Sequence, residues 1–156
     1  MSAGELSSRR GRVSAVRSRI MSAIRGKDTK PEMLVRRAIH AAGLRYRLHR
    51  RDLPGSPDIV ITRLRTVVFV HGCFWHHHDC RDFKWPKTRA AFWRAKIDAN
   101  VARDRRTRYF LKAAGWTVHT IWECELADGR TLPKLVRTLI GRRAPSTRLG
   151  HRARAS

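Results

Sequence analysis

The chain has 156 residues, with 35 Lys+Arg against 12 Asp+Glu, a formal charge of +23 and a hydrophobic fraction of 42%. That is enough apolar material for one domain core, which excludes wholesale disorder. No stretch approaches the roughly eighteen consecutive apolar residues of a membrane span.

The N-terminal stretch has no continuous apolar segment of the signal-peptide kind, so a cytoplasmic location is expected. So large a basic excess calls for a polyanion, and nucleic acid comes first. A membrane surface is set aside, because neither end carries a basic amphipathic helix with a strong apolar face. Three cysteines in such a chain are an odd number and no disulfide framework, which leaves metal binding, catalysis or burial.

In chain order, residues 1–17 read as a basic, disordered arm, with Arg9, Arg10, Arg12 and Arg17 against Glu5. Val16, Ile20 and Ile24 could form a short helix. Residues 18–141 are expected to hold the folded domain. The first clear helix follows Asp28-Thr29, where Thr29-Lys-Pro-Glu32 fits a capping box. Leu34, Val35, Ala38, Ile39 and Ala42 make its apolar face, and Gly43 ends it. Tyr46 to Leu48 is a possible short strand, and Leu53-Pro-Gly-Ser-Pro57 a turn.

Asp58–Thr62 and Thr66–His71 read as buried strands, joined through Arg63-Leu-Arg65 by a connection of hairpin length. Thr88 to Ala114 is helical in pattern and is expected to split into two helices. Its candidate core positions are Phe92, Ile97, Val101, Tyr109, Phe110 and Leu111. Thr117–Trp122 is a further strand and Leu132–Ile140 a closing helix. Residues 142–156 carry five arginines and no acid, and read as a second disordered tail. The order α-β-β-β-α-β-α predicts an α/β fold, a mixed sheet flanked by helices.

The densest chemistry lies in His71-Gly-Cys-Phe-Trp-His-His-His-Asp-Cys80. Structural zinc takes four Cys and His ligands in a tetrahedron. Cys73, His78 and Cys80 offer three from one loop, and Cys124, just beyond the last strand, offers a fourth. The alternative is a buried Cys124 and a solvated histidine run. His71, His76 and His77 remain as possible general bases, with a plain surface role for His77.

Asp58 places a carboxylate at the mouth of a buried strand, a natural Mg²⁺ ligand. Alone it is weak evidence, since Asp is common in turns. Phe74 and Trp75 sit between candidate metal ligands, where a rigid loop could drive them between base pairs. Phe83, Trp85 and Trp93 are interleaved with basic residues, and Trp93 fits a core position as well. Trp116 and Trp122 read as core.

Leu53-Pro-Gly-Ser-Pro-Asp58, the His71–Cys80 block, Phe92-Trp93 with Lys96-Ile97, Asn100-Val101 with Arg103-Asp104-Arg105-Arg106, and Gly115-Trp116 through Trp122-Glu-Cys124 together resemble the very short patch repair (Vsr-type) mismatch endonucleases. The likeness spans about residues 18–125.

It implies a PD-(D/E)XK nuclease-like fold with a structural zinc site. It also implies a Mg²⁺-dependent nick of one DNA strand, 5′ of the thymine of a T·G mismatch left by deaminated 5-methylcytosine. Carried over by position, Asp58 becomes the Mg²⁺ ligand, His71 and His76 the active-site histidines, and Glu32 the acid of the first helix. Cys73, His78, Cys80 and Cys124 become the Zn²⁺ ligands, and Phe74, Trp75 and Trp93 the intercalating aromatics. The substrate implied is double-stranded DNA bound by a monomer, with functional links to a cytosine-5 methyltransferase and mismatch-repair proteins.

The sequence departs from the wider nuclease motif. Twelve residues beyond Asp58 stands Val70, which can offer Mg²⁺ only its backbone carbonyl, and Gly72 stands where a lysine is usual. The same residues admit two rival functions. One is a zinc-stabilised DNA-binding module without catalysis, and the other a restriction-type nuclease of the same fold without mismatch preference.

Overall fold

The computed structural model describes residues 27–142. The expected arm at 1–17, the short helix around Val16–Ile24 and nearly all of the 142–156 tail lie outside them. The sheet and its covering helices lie within residues 30–141.

Helix α1, Lys30–Ala41, is followed by strands β1 (Arg47–Leu48), β2 (Ile59–Ile61) and β3 (Thr66–His71). Helix α2 (Ala90–Ala113), strand β4 (Thr117–Trp122) and helix α3 (Thr131–Gly141) complete the order. Among the described residues the sheet runs β1-β2-β3-β4. Strands β1–β2 and β2–β3 pair antiparallel, whereas β3 and β4 pair parallel from Thr66↔Thr117 to His71↔Trp122. The sheet is therefore mixed, as the element order predicts.

Alternation along the strands sends side chains to two cores. Ile59, Ile61, Val68 and Ile121 pack with Val35 and Ile39 of α1 and with Leu135 and Leu139 of α3. Val60 and Val67 face Leu111 of α2, with Phe69, Trp116 and Val118 against them. A sheet covered on both faces explains the near-continuous Val/Ile runs.

Helix α1 ends as expected at Gly43, whose φ is +71°. Its N–H bonds the carbonyl of His40 at 2.9 Å, and the N–H of Leu44 bonds that of Ile39 at 3.3 Å. This pair is the Schellman closure, with buried Leu44 supplying its apolar contact.

Two expectations are corrected. Leu34 is 45% exposed, because the buried face of α1 runs through Glu32, Val35, Arg36 and Ile39. An acid–base pair occupies half of that face, which apolar periodicity cannot register. The second concerns α2, one unbroken helix of 24 residues, not two. It has no internal Gly or Pro to break it, and at 1.5 Å per residue it is about 36 Å long. Six-residue strands span about 20 Å, so much of the helix overhangs the sheet. Its buried line runs through Ile97 and Leu111, and Tyr109 and Phe110, turned away from that line, stand 69% and 51% exposed, as Phe92 is exposed.

Among the described residues, no helix is long and apolar enough to cross a membrane.

Candidate active site and metal centre

The turn before β2 is locked onto α2. Gly55 has φ +72°, and a Cβ there would collide with Thr107, so this position takes no side chain. The chain then enters β2 through buried Pro57 and delivers Asp58 to one end of the sheet. Asp58 Oδ2 accepts the N–H of Val70 at 2.8 Å, across the β2–β3 hairpin. Asp58 and the end of β3 thus form one locus. Burial pushes the Asp58 carboxyl above its ordinary value; the Val70 N–H opposes this and the nearby Glu32 charge adds to it. A carboxylate so placed gains from a bound cation, and as a hard oxygen donor it suits Mg²⁺.

Glu32 is buried, and its carboxylate meets the Arg36 guanidinium in an (i, i+4) ion pair. His49 approaches both acids, with Nε2 at 3.1 Å from Glu32 Oε1 and Nδ1 at 3.9 Å from Asp58 Oδ1.

The second half of the site begins at His71, the last residue of β3. Its ring stacks on His76 with centroids 3.8 Å apart and planes 9° apart. His76 Nδ1 lies 2.5 Å from Asp104 Oδ2 on α2. Burial above all, then the neighbouring His76, holds the His71 imidazole down to about 4, so it is neutral near pH 7. Burial pushes Asp104 up, but the hydrogen bond and charge of His76 prevail and leave its carboxyl below the ordinary range. A cleft beside His71 is lined by Phe69, Asp104, Thr107 and Arg108.

Beyond Gly72 the loop folds back on itself through short backbone bonds, such as His78 N–H to Cys73 O at 3.0 Å. That curl brings Cys73, His78 and Cys80 to Cys124, just past β4, with one ligand atom from each within 4.8 Å of all the others. The Nδ1 of His78 is 3.2 Å from Cys124 Sγ and 3.7 Å from Cys73 Sγ. His78 also stacks on Trp122, centroids 4.2 Å apart. Burial, then the company of Cys73 and Cys80, pushes the Cys124 thiol up to about 12. Three sulfurs this close ionise together only around a cation, so the donor set fits Zn²⁺.

Phe74, Trp75 and Trp93 form a half-buried aromatic cluster, with ring centroids 5.2 to 6.0 Å apart. The Nζ of Lys96 lies 5.5 Å from the Trp75 ring centroid. Asn100 of α2 donates its side-chain N–H to the carbonyl of Trp75 at 3.0 Å and so ties the loop to the helix.

The expected residues fall into four groups: Glu32, Asp58 and Val70; His71 and His76; the four zinc-type ligands; and Phe74, Trp75 and Trp93. The structure adds Asp104, Arg36 and His49, to which sequence reasoning gives no role. Asp104 has a usable signal, since it lies seven residues after buried Ile97 and seven before buried Leu111, at helical spacing. His49 has none, because it sits in an irregular stretch after a two-residue strand.

A mixed sheet between helices, with buried acids and histidines at one end, defines a nuclease-like α/β protein. The family described as DNA mismatch endonuclease Vsr matches residues 13–82. The type II nicking enzyme V.XorIIP of Xanthomonas oryzae pv. oryzae is 50% identical over 121 residues, covering 78% of this chain and 89% of the relative. The DNA mismatch endonuclease Vsr of Escherichia coli K12 is 47% identical over 112 residues, 72% of each chain. The type II nicking enzyme V.NmeAIP of Neisseria meningitidis serogroup A is 44% identical over 112 residues, 72% of this chain and 80% of that one. The chain belongs to the Vsr family of DNA mismatch endonucleases.

Proposed function

We propose that this enzyme nicks one strand of duplex DNA on the 5′ side of the thymine in a T·G mismatch. The observation that supports the reading is the bond from the Val70 N–H to Asp58, which sets that carboxylate at the end of β3 where His71 follows and stacks on His76. Family membership and relatives named as nicking enzymes support it.

Asp58, with the Val70 carbonyl, is the Mg²⁺-binding element. Mg²⁺ supplies neutralisation of the phosphate and a lowered pKa for the attacking water. Asp104 accepts the Nδ1 proton of His76, fixes that tautomer, and leaves Nε2 to take or give a proton at the scissile phosphodiester. His71, neutral and stacked on His76, holds the ring in place and lines the approach. Glu32 completes the acidic end of the site through its pair with Arg36.

Cys73, His78, Cys80 and Cys124 are proposed as a structural zinc site that stiffens the loop. Phe74 and Trp75, held within that loop and packed on Trp93, then serve as a preformed wedge. A wobble pair stacks poorly, so opening a step beside it costs less than in matched DNA. The basic excess supplies affinity for the backbone on any sequence.

The test is a strand-resolving gel of T·G and matched C·G duplexes incubated with Mg²⁺. A single nick confined to the thymine strand of the T·G duplex is expected. Equal cleavage of both duplexes would favour a nuclease without mismatch preference, and binding without cleavage would remove the enzymatic reading.

A further inference from the structure

His49 has a backbone conformation that needs a reason. Its φ is +44°, in the left-handed region where only Gly sits without cost. Its backbone N–H lies 3.4 Å from the Asp58 carbonyl, and Leu48 pairs with Ile59, so His49 stands opposite Asp58 one step further along the register. The turn carries the ring across to the buried Glu32–Arg36 pair.

Nε2 lies 3.0 Å from Arg36 Nη2, which only donates, and 3.1 Å from Glu32 Oε1, which as a carboxylate only accepts, so the ring is anchored on that ion pair whichever role Nε2 takes. The nitrogen left to meet Asp58 is Nδ1. That atom faces Asp58 Oδ1 at 3.9 Å, while Asp58 Oδ2 is held by the Val70 N–H. The distance is short of a hydrogen bond, and bonds that orient catalytic groups are commonly long until ligands are bound.

We infer that His49 is a positioning residue for the cation-binding carboxylate: anchored through Nε2 on the Glu32–Arg36 pair, it presents Nδ1–H to Asp58 Oδ1 and fixes how that carboxylate meets a divalent cation. Asp58 is thereby gripped from both sides, and the first helix and this end of the sheet act as one unit through the chain Glu32–Arg36–His49–Asp58. Partners that orient metal-ligating groups in this manner are worth about ten- to a hundred-fold in metal affinity or activity. The inference rests on the proposed role of Asp58, so its test reads cation binding apart from nicking.

Zinc-loaded full-length protein is titrated with Mn²⁺ and the free-ion electron paramagnetic resonance signal is followed, with Asp58→Ala as the blank. His49→Ala should weaken the Asp58-dependent Mn²⁺ site about ten-fold. His49→Gln, whose amide can accept from Arg36 and donate to Asp58, should stay much closer to wild type. Melting temperature and zinc content are measured on each variant, and His49→Gly, which removes the ring and suits the left-handed backbone, substitutes if the alanine variant does not fold. Wild-type Mn²⁺ affinity in the shortened variant overturns the inference, as do equal losses in the shortened and glutamine variants or the absence of any Asp58-dependent Mn²⁺ site. A protein that binds Mn²⁺ with this pattern yet fails to nick a T·G duplex would refute the proposed function and leave the role of His49 standing.

Discussion

Replacing Asp104 by Asn separates positioning of His76 from the bulk of the fold. The carboxylate lies 2.5 Å from His76 Nδ1 and is held below its ordinary pKa, chiefly by that ring against the cost of burial. Asn keeps the size and one acceptor but loses the charge, and its amide can flip to donate instead, which turns the ring to the wrong tautomer. A hydrogen bond to a charged group is worth about 1.5–3 kcal/mol. If it is realised fully only when His76 carries a proton during the reaction, the rate falls by roughly ten- to a hundred-fold. The assay is single-turnover nicking of a T·G duplex at saturating enzyme and Mg²⁺, with DNA affinity measured beside it. Affinity should hold or rise slightly, because a negative charge has been removed next to the cleft. Nicking by Asp104→Asn at the wild-type rate, with the protein folded and zinc-loaded, would refute the assignment of Asp104 and His76 as a working pair.

Other parts of the molecule carry three more expected outcomes. Cys124→Ala should lower bound zinc and the melting temperature, since a structural metal contributes directly to folding free energy; a full zinc complement by metal analysis would remove Cys124 from the site. Trp75→Ala should reduce the ratio of nicking rates on T·G and C·G duplexes about ten-fold, given that stacking on an aromatic is worth about 1–3 kcal/mol per base, and an unchanged ratio in a folded variant would place Trp75 in the loop's packing alone. His119 on β4 is held below its ordinary 6.5, first by burial and then by the charge of Arg142. Its folded form therefore resists a proton that the unfolded chain accepts, so stability should fall as pH drops through 6.5. His119→Leu should flatten that slope in melting curves between pH 8 and 5, and parallel slopes would contradict it.

The sheet is legible in the sequence because its strands are short apolar β-branched runs, and Thr66–His71 and Thr117–Trp122 stand where the pattern puts them. The parallel β3–β4 pair reflects the helix between them. Less legible is anything set by polar burial or by unequal element lengths. Leu34 departs from its expected place because Glu32 and Arg36 take the inner face of α1, and Phe92, Tyr109 and Phe110 because the inner line of α2 runs through Ile97 and Leu111. The cysteine–histidine block announces a metal-type cluster by composition alone. The partners of its neighbours, Asp104 for His76 and Arg36 for His49, depend on distances across 28 and 13 residues that no local pattern encodes.

The central claim is that cleavage is centred on Asp58, and Asp58→Ala on a T·G duplex tests it most directly. With the protein folded, zinc-loaded and supplied with Mg²⁺, the account predicts that strand-resolved nicking is lost. Binding of the same duplex should stay at or above wild-type affinity, because phosphate contacts elsewhere supply most of it and a buried carboxylate no longer faces the backbone. Nicking by the alanine variant near the wild-type rate would contradict the account.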